Sequence, residues 1–187
     1  MDQRDLVERA KGGDHDAFEA LAGPQVSRLD AAARLILRDQ ELARDAVQDG
    51  FIRAWRNLPA LRDPDRFDAW LRRLVINACL DITRRRRRRA IEIELSPLDA
   101  ATDVDFATLV ADRDLLDGAL RRLDPEWRAI VVMHYFLGMP LPEVAQAVGI
   151  PLGTAKSRLH RSLGLMRVSL AGDEKHPNPS FLEGRPA

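Results

Sequence analysis

Pro142–Leu163 reads PEVAQAVGIPLGTAKSRLHRSL, two short helical segments with a glycine and a proline between them, and this stretch decides the fold. Val144, Ala145 and Val148 recur at helical spacing and give the first segment an inner face. Ala145 is small enough for a close crossing. Gly149 permits the turn, and Ala155, Leu159, Leu163, Met166 and Leu170 give the second segment a buried stripe. The pattern is a helix-turn-helix candidate. Its other face carries Thr154, Lys156, Ser157, Arg158, His160 and Arg161, short polar and basic side chains suited to base edges and phosphates in a major groove. The competing reading is a plain helical hairpin with a solvated basic face. Val144 to Gly172 contains no acidic residue at all, which favours the nucleic-acid reading.

The rest of the chain continues the helical theme. Leu6–Ala10 and Ala17–Leu21 are short helices separated by GGD, with Asp14 or Asp16 available as a cap. Leu29–Leu37 follows the break at Pro24. In Gln40–Leu58 the apolar Val47, Phe51, Ala54, Trp55 and Leu58 lie on one side, and Asp45, Gln48, Asp49, Ile52 and Arg56 share another. The stretch NLPALRDPDRFD is a loop. A long helix then starts at Arg66 or Phe67, with a buried stripe of Phe67, Trp70, Leu71, Leu74, Val75, Ala78 and Ile82 and an opposite face of Arg73, Asn77, Asp81, Arg84 and Arg88. It ends in TRRRRRRA, six consecutive arginines at 84–89. At about 100° per residue they sweep more than a full turn, so they cannot share one face. The helix end must project past the core or fray, because burying several unpaired arginines is too costly. A solvated charge run, a targeting tag and a contact surface are the three readings of this run.

The chain has 187 residues, 45 % hydrophobic, and a formal net charge of zero. The zero conceals segregation. Residues 53–89 hold twelve arginines against four aspartates, residues 92–126 hold ten acids against three arginines, and the acid-free stretch follows. Two basic surfaces around an acidic middle suit a polyanion-binding protein with two contact points. Residues 91–111 read as an acidic linker and 172–187 as a polar, proline-rich, disordered tail. The fold class is therefore all-α, two small helical domains joined by a flexible acidic linker, the C-terminal one a helix-turn-helix.

Catalysis finds no support. His15, His134, His160 and His176 are scattered, without metal-ligand spacing, and no phosphate-binding glycine loop or nucleophile elbow is present. No catalytic set, metal or cofactor is expected. The single cysteine, Cys79, reads as a small buried hydrophobe in a reducing compartment. No apolar run is long enough for membrane insertion, and the N-terminus lacks the layout of a secretory signal, so a cytoplasmic location is expected.

Three blocks in this order, DAVQDGFIRAWRNL (45–58), FDAWLRRLVINACLDITRRRRRR (67–89) and LRRLDPEWRAIVVMHYFLGMPLPEVAQAVGIPLGTAKSRLHRSLGLMR (120–167), resemble the extracytoplasmic-function sigma factors of bacterial RNA polymerase. The resemblance implies a region 2 domain over 1–90, the linker over 91–111, a region 4 domain over 112–171 and the tail over 172–187. It implies core RNA polymerase, promoter DNA as duplex and melted non-template strand, and an anti-sigma factor as partners. Asp45, Gln48, Asp49, Ile52 and Arg56 would meet the coiled coil of the polymerase's largest subunit. The loop Pro59–Arg66 would bound a pocket for a flipped base, with Arg66, Arg73, Asn77, Arg84, Arg85 and Arg88 on the minus-ten element and Asn77 reading a base. Lys156, Ser157, His160 and Arg161 would read the minus-thirty-five element, while Thr154 and Arg158 hold phosphates. The acidic linker would thread toward the RNA exit channel. Pro140 departs from the family's usual serine cap, a loss worth about 1 kcal/mol, although proline is tolerated in a first turn. A stand-alone helix-turn-helix regulator is the alternative function, and the block at 45–55 is the feature it would not need.

Overall fold

The computed structural model describes residues 2–93 and 111–173. The expected acidic linker and tail lie almost wholly outside these residues. The described chain is helical: α1 (Gln3–Lys11), α2 (His15–Ala22), α3 (Val26–Leu37), α4 (Gln40–Asn57), α5 (Phe67–Ile93), α6 (Ala111–Arg121), α7 (Pro125–Val131), α8 (Leu141–Val148) and α9 (Leu152–Asp173). Local chemistry sets many of the starts. Asp14, Asp39 and Asp124 each accept a backbone N–H of the helix they precede, satisfying donors that a helix N-terminus leaves open. α3 ends where Arg38 adopts a left-handed conformation, φ 55°.

One boundary differs from the expectation. α5 runs through all six arginines to Ile93 instead of ending at residue 90. Arginine is a good helix former, and one of the run is tied back to the body: Arg86 lies 3.5 Å from Asp39. In the C-terminal body α7 passes into a π turn at Val132–Phe136, closed by Leu137 N–H on the Val132 carbonyl at 3.0 Å.

α4 and α5 form the centre of the N-terminal body. Gly50 is buried at their crossing, where a Cβ would stand 2.7 Å from the Val75 Cα. Only a residue without a side chain lets the two backbones meet this closely. Around this crossing, Val7, Ala10, Leu29, Leu58, Leu61, Phe67, Leu71 and Val75 form one apolar cluster.

The buried part of α5 is wider than the single stripe read from its sequence. Ile76, Cys79 and Leu80 are fully buried beside Val75 and Ala78, because α5 is covered on two sides. A second cluster joins these residues and Ala32, Ala33 and Ile36 of α3 to Ile130, Met133, Leu137, Met139 and Val144 of the C-terminal body. The two helical bodies thus pack against each other through a shared apolar seam. Burial pushes the Cys79 thiol up to about 12. Polar clasps border the seam: Arg38 binds Asp117 through two hydrogen bonds of 2.6 and 2.9 Å, Arg28 donates to the Phe136 carbonyl at 2.9 Å, and Arg84 donates to the Val148 carbonyl at 2.9 Å. A buried Ile or Leu is worth roughly 1.5–3 kcal/mol and a partly exposed ion pair about 0–1. The apolar residues hold the seam, and the clasps set its register.

Candidate nucleic-acid interface

The first surface is the outer stripe of α4. Asp45, Gln48 and Arg56 are exposed, and Ile52, a large apolar residue, is 40 % exposed among them. Spacings of three or four residues keep the four on one face. Asp49 belongs to the stripe by position but pairs with Arg53 at 2.6 Å. Arg53 also reaches Asp81 of α5 at 3.1 Å, and hydrogen bonding to Asp49 foremost holds its guanidinium above its ordinary value. Asp49 and Arg53 thus lock α4 to α5 as well as contributing charge. Phe51 and Trp55 are half-buried, with the Trp55 ring stacked on His15 at 4.3 Å.

The second surface is on α5. Arg73, Asn77, Arg84 and Arg88 fall within a sector of about 60° at 100° per residue, so the helix aligns four of the six predicted residues. Arg66 stands just before the helix, exposed, 3.4 Å from Asp63; Arg85 lies beside the stripe, exposed. Asn77 is half-buried. Arg84 is engaged at the seam, which leaves Arg85, Arg87, Arg88 and Arg89 as the exposed, outward members of the run whose other engaged residue is Arg86.

A cleft of about 340 Å³ opens at the start of α5. Arg62, Asp63, Arg66, Trp70 and Arg73 line one side, and Met139, Glu143 and Gln146 of the C-terminal body the other. Trp70, read from periodicity as core, is half-buried and takes both roles: its ring lies 6.1 Å from Phe67 and it borders the cleft. Asn77 does not line it. Arginines beside an indole suit an unstacked base with its backbone phosphates. Glu143 and Gln146 occupy exposed positions of α8 with no sequence signal for a partner, so only the packing reveals them here.

The third surface is α9. Gly149, φ 77°, ends α8 and donates to the Ala145 carbonyl at 3.0 Å. The turn at Pro151 then starts α9, whose Ala155 N–H returns to the Pro151 carbonyl. Pro140 provides no side-chain cap; its carbonyl accepts from Glu143 and Val144 instead. Ala155, Leu159, Ser162, Met166 and Ser169 are the buried positions, a stripe slightly rotated from the one expected, with Leu163 and Leu170 half-buried at its edge. Ser162 tolerates burial by donating to the Arg158 carbonyl at 2.8 Å. Lys156, Ser157, His160 and Arg161 are all exposed on the opposite side. Thr154 is half-buried, and Arg158 is drawn to Glu126 of α7 at 3.1 Å, so it pins α9 to α7.

The Sigma-70 region 2 family matches residues 25–89, and the Sigma-70, region 4 family matches residues 113–166. The ECF RNA polymerase sigma factor SigM of Mycobacterium tuberculosis is 35 % identical over 159 residues, covering 84 % of this chain and 79 % of that protein. Among solved structures, CnrH in complex with the cytosolic domain of CnrY superposes with a TM-score of 0.64 at 30 % identity, over 91 % of this chain and 98 % of that one. The sigma factor RpoE of Bartonella quintana, solved with the anti-sigma factor NepR, has the same fold, with a TM-score of 0.65 at 22 % identity over 82 % and 96 % of the two chains.

Proposed function

The chain belongs to the extracytoplasmic-function RNA polymerase sigma factors, non-catalytic initiation factors that direct the polymerase to promoters, and we propose that its three surfaces divide that work. The body ending with α5 binds core polymerase through Asp45, Gln48, Ile52 and Arg56, with Asp49 held ready by Arg53. The cleft beside Trp70 receives the flipped base of the minus-ten element. Arg66, Arg73, Arg85 and Arg88 follow the backbone, and Asn77 reads a neighbouring base. The body from α6 onward reads the minus-thirty-five element through Lys156, Ser157, His160 and Arg161, with Thr154 and Arg158 toward phosphates. An anti-sigma factor is the expected antagonist. Among the described residues no helix is long and apolar enough to cross a membrane.

The observation that carries this reading is the exposed stripe of α4 locked through Arg53 to the helix bearing the basic stripe. A stand-alone regulator has no use for it. The two promoter elements, centred about 25 base pairs apart, are separated by roughly 85 Å at 3.4 Å per pair. Two bodies sharing one apolar seam do not span that distance. The seam therefore opens on the promoter, and the 17 residues between Ile93 and Ala111 reach up to about 60 Å when extended. Opening also frees Arg84 and uncovers the cleft from Glu143 and Gln146.

The test is reconstituted transcription with core polymerase on promoters of the source genome. Specific initiation is expected from the wild-type chain. Asp45→Ala with Gln48→Ala should lose co-purification with core while keeping the fold. Unchanged co-purification would refute the assigned face, and absence of specific initiation by the wild type would favour the regulator.

A further inference from the structure

The loop between α4 and α5 is held from outside by α1. Gln3 donates from Nε2 to the Pro64 carbonyl at 2.9 Å, and the Arg4 guanidinium binds both carboxylate oxygens of Asp65. These partners are 61 residues apart. Beneath them, Val7 and Ala10 of α1 are buried in the same cluster as Leu58 and Leu61, on which the loop rests. Within the loop, Asp63 accepts the Asp65 N–H at 3.1 Å and lies 3.4 Å from Arg66. The two residues gripped by α1, Pro64 and Asp65, sit directly between Asp63 and Arg66, which line the cleft.

We infer that Gln3 and Arg4 are positioning residues for the base-binding cleft: they hold its loop wall in the conformation that accepts an unstacked base. The inference rests on the reading of that cleft as the site of the flipped minus-ten base. A binding wall that is already ordered gives up less conformational freedom when the ligand arrives. Neither residue lines the cleft, and α1 serves it through one grip on the loop backbone and one on the Asp65 side chain. The Arg4–Asp65 pair is 64 % and 54 % exposed, so alone it contributes little. The half-buried Gln3 bond carries more of the effect. Together they should change the equilibrium for base capture by roughly tenfold.

The experiment uses the full chain with core polymerase and a promoter carrying 2-aminopurine at successive minus-ten positions of the non-template strand. Wild type should give a fluorescence rise at one position, marking the extruded base. Gln3→Ala with Arg4→Ala should reduce the open fraction at that position roughly tenfold. Core affinity and binding to duplex containing only the minus-thirty-five element should be unchanged. Arg4→Asp should be impaired and regain the signal when combined with Asp65→Arg, a rescue that a general loss of stability would not show. Equal signals from wild type and the double alanine variant would overturn the inference alone. No rise at any position in the wild type would overturn the reading of the cleft and the inference with it. Loss of core affinity in step with the signal would show that α1 merely supports the fold, and would overturn the positioning role.

Discussion

Replacing Gly50 by alanine probes the crossing of α4 and α5 on which the placement of both exposed stripes depends. An alanine Cβ would stand 2.6 Å from the Val75 Cγ2, 2.7 Å from its Cα and 3.1 Å from its Cβ. A rotamer change at Val75 relieves the first clash but not the second, which involves backbone, so the two helices must separate. Overpacking of a tight core costs typically about 1–3 kcal/mol. A clash on backbone belongs in the upper half of that range. Alanine returns up to about 1 kcal/mol in helix propensity, leaving a net loss of about 1–2 kcal/mol. For a cooperative unit of this size the loss lowers the melting temperature by roughly 2–8 °C. The matched control is Gly164→Ala in α9, where an added Cβ meets nothing within 4 Å and the propensity gain should raise stability. Circular dichroism melts of the two variants give opposite signs. Polymerase affinity should also fall for Gly50→Ala, because parting α4 from α5 strains the Arg53 bridge to Asp81. A melting temperature for Gly50→Ala at or above wild type would refute the close-crossing argument.

Three further outcomes are expected. Hydrogen bonding from Arg38 holds the Asp117 carboxyl below its ordinary value. Its contribution to the seam is therefore complete above the unfolded value near 3.9 and lost as pH falls through the lower folded one. The radius of gyration of the free chain should be flat from pH 5 to 8 and rise in acid, with Asp117→Asn weakening the acid-dependent part; a transition near neutrality would contradict this. Arg128 is 6 % exposed, and among the described residues its Nε finds no hydrogen-bond partner. Burial, then repulsion from Arg38, pushes it down to about 10, so at neutral pH the fold carries a costly cation whose penalty eases only above that value. Arg128→Met should raise the melting temperature by a few degrees, whereas a fall would mean the guanidinium is paired. Glu126→Gln releases Arg158 from its 3.1 Å bridge. One added phosphate contact should then steepen the log–log salt dependence of duplex binding by about 0.9; an unchanged slope would show that Arg158 already reaches DNA.

Local chemistry made much of this protein readable from its residues. The spacing of Val144, Ala145 and Val148 around Gly149, and the acid-free face at Lys156, Ser157, His160 and Arg161, suffice for the helix-turn-helix, because each depends only on residues a few positions apart. The outer stripe of α4 and the alignment of Arg73, Asn77, Arg84 and Arg88 are legible for the same reason. Arg158 shows the limit: periodicity placed it correctly on α9 but had no means of finding Glu126, 32 residues away.

Sequence alone thus determined the helices of the N-terminal body and the helix-turn-helix apart from the end of α5, their exposed faces and the charge segregation that points to nucleic acid. Tertiary structure alone decided what those faces meet. Ile76 and Leu80 lie off the stripe expected for α5, yet they are buried because a second body covers the helix from the other side. Trp70 became both core and cleft wall, and Glu143 and Gln146 came to face Arg62 and Arg73 across the cleft. Gln3 and Arg4 carry no motif, and their grip on Pro64 and Asp65 exists only because the chain returns to α1 after 61 residues. Periodicity records which side of a helix is apolar or charged. It holds no information on which distant element arrives there, since that follows from packing complementarity across the whole fold.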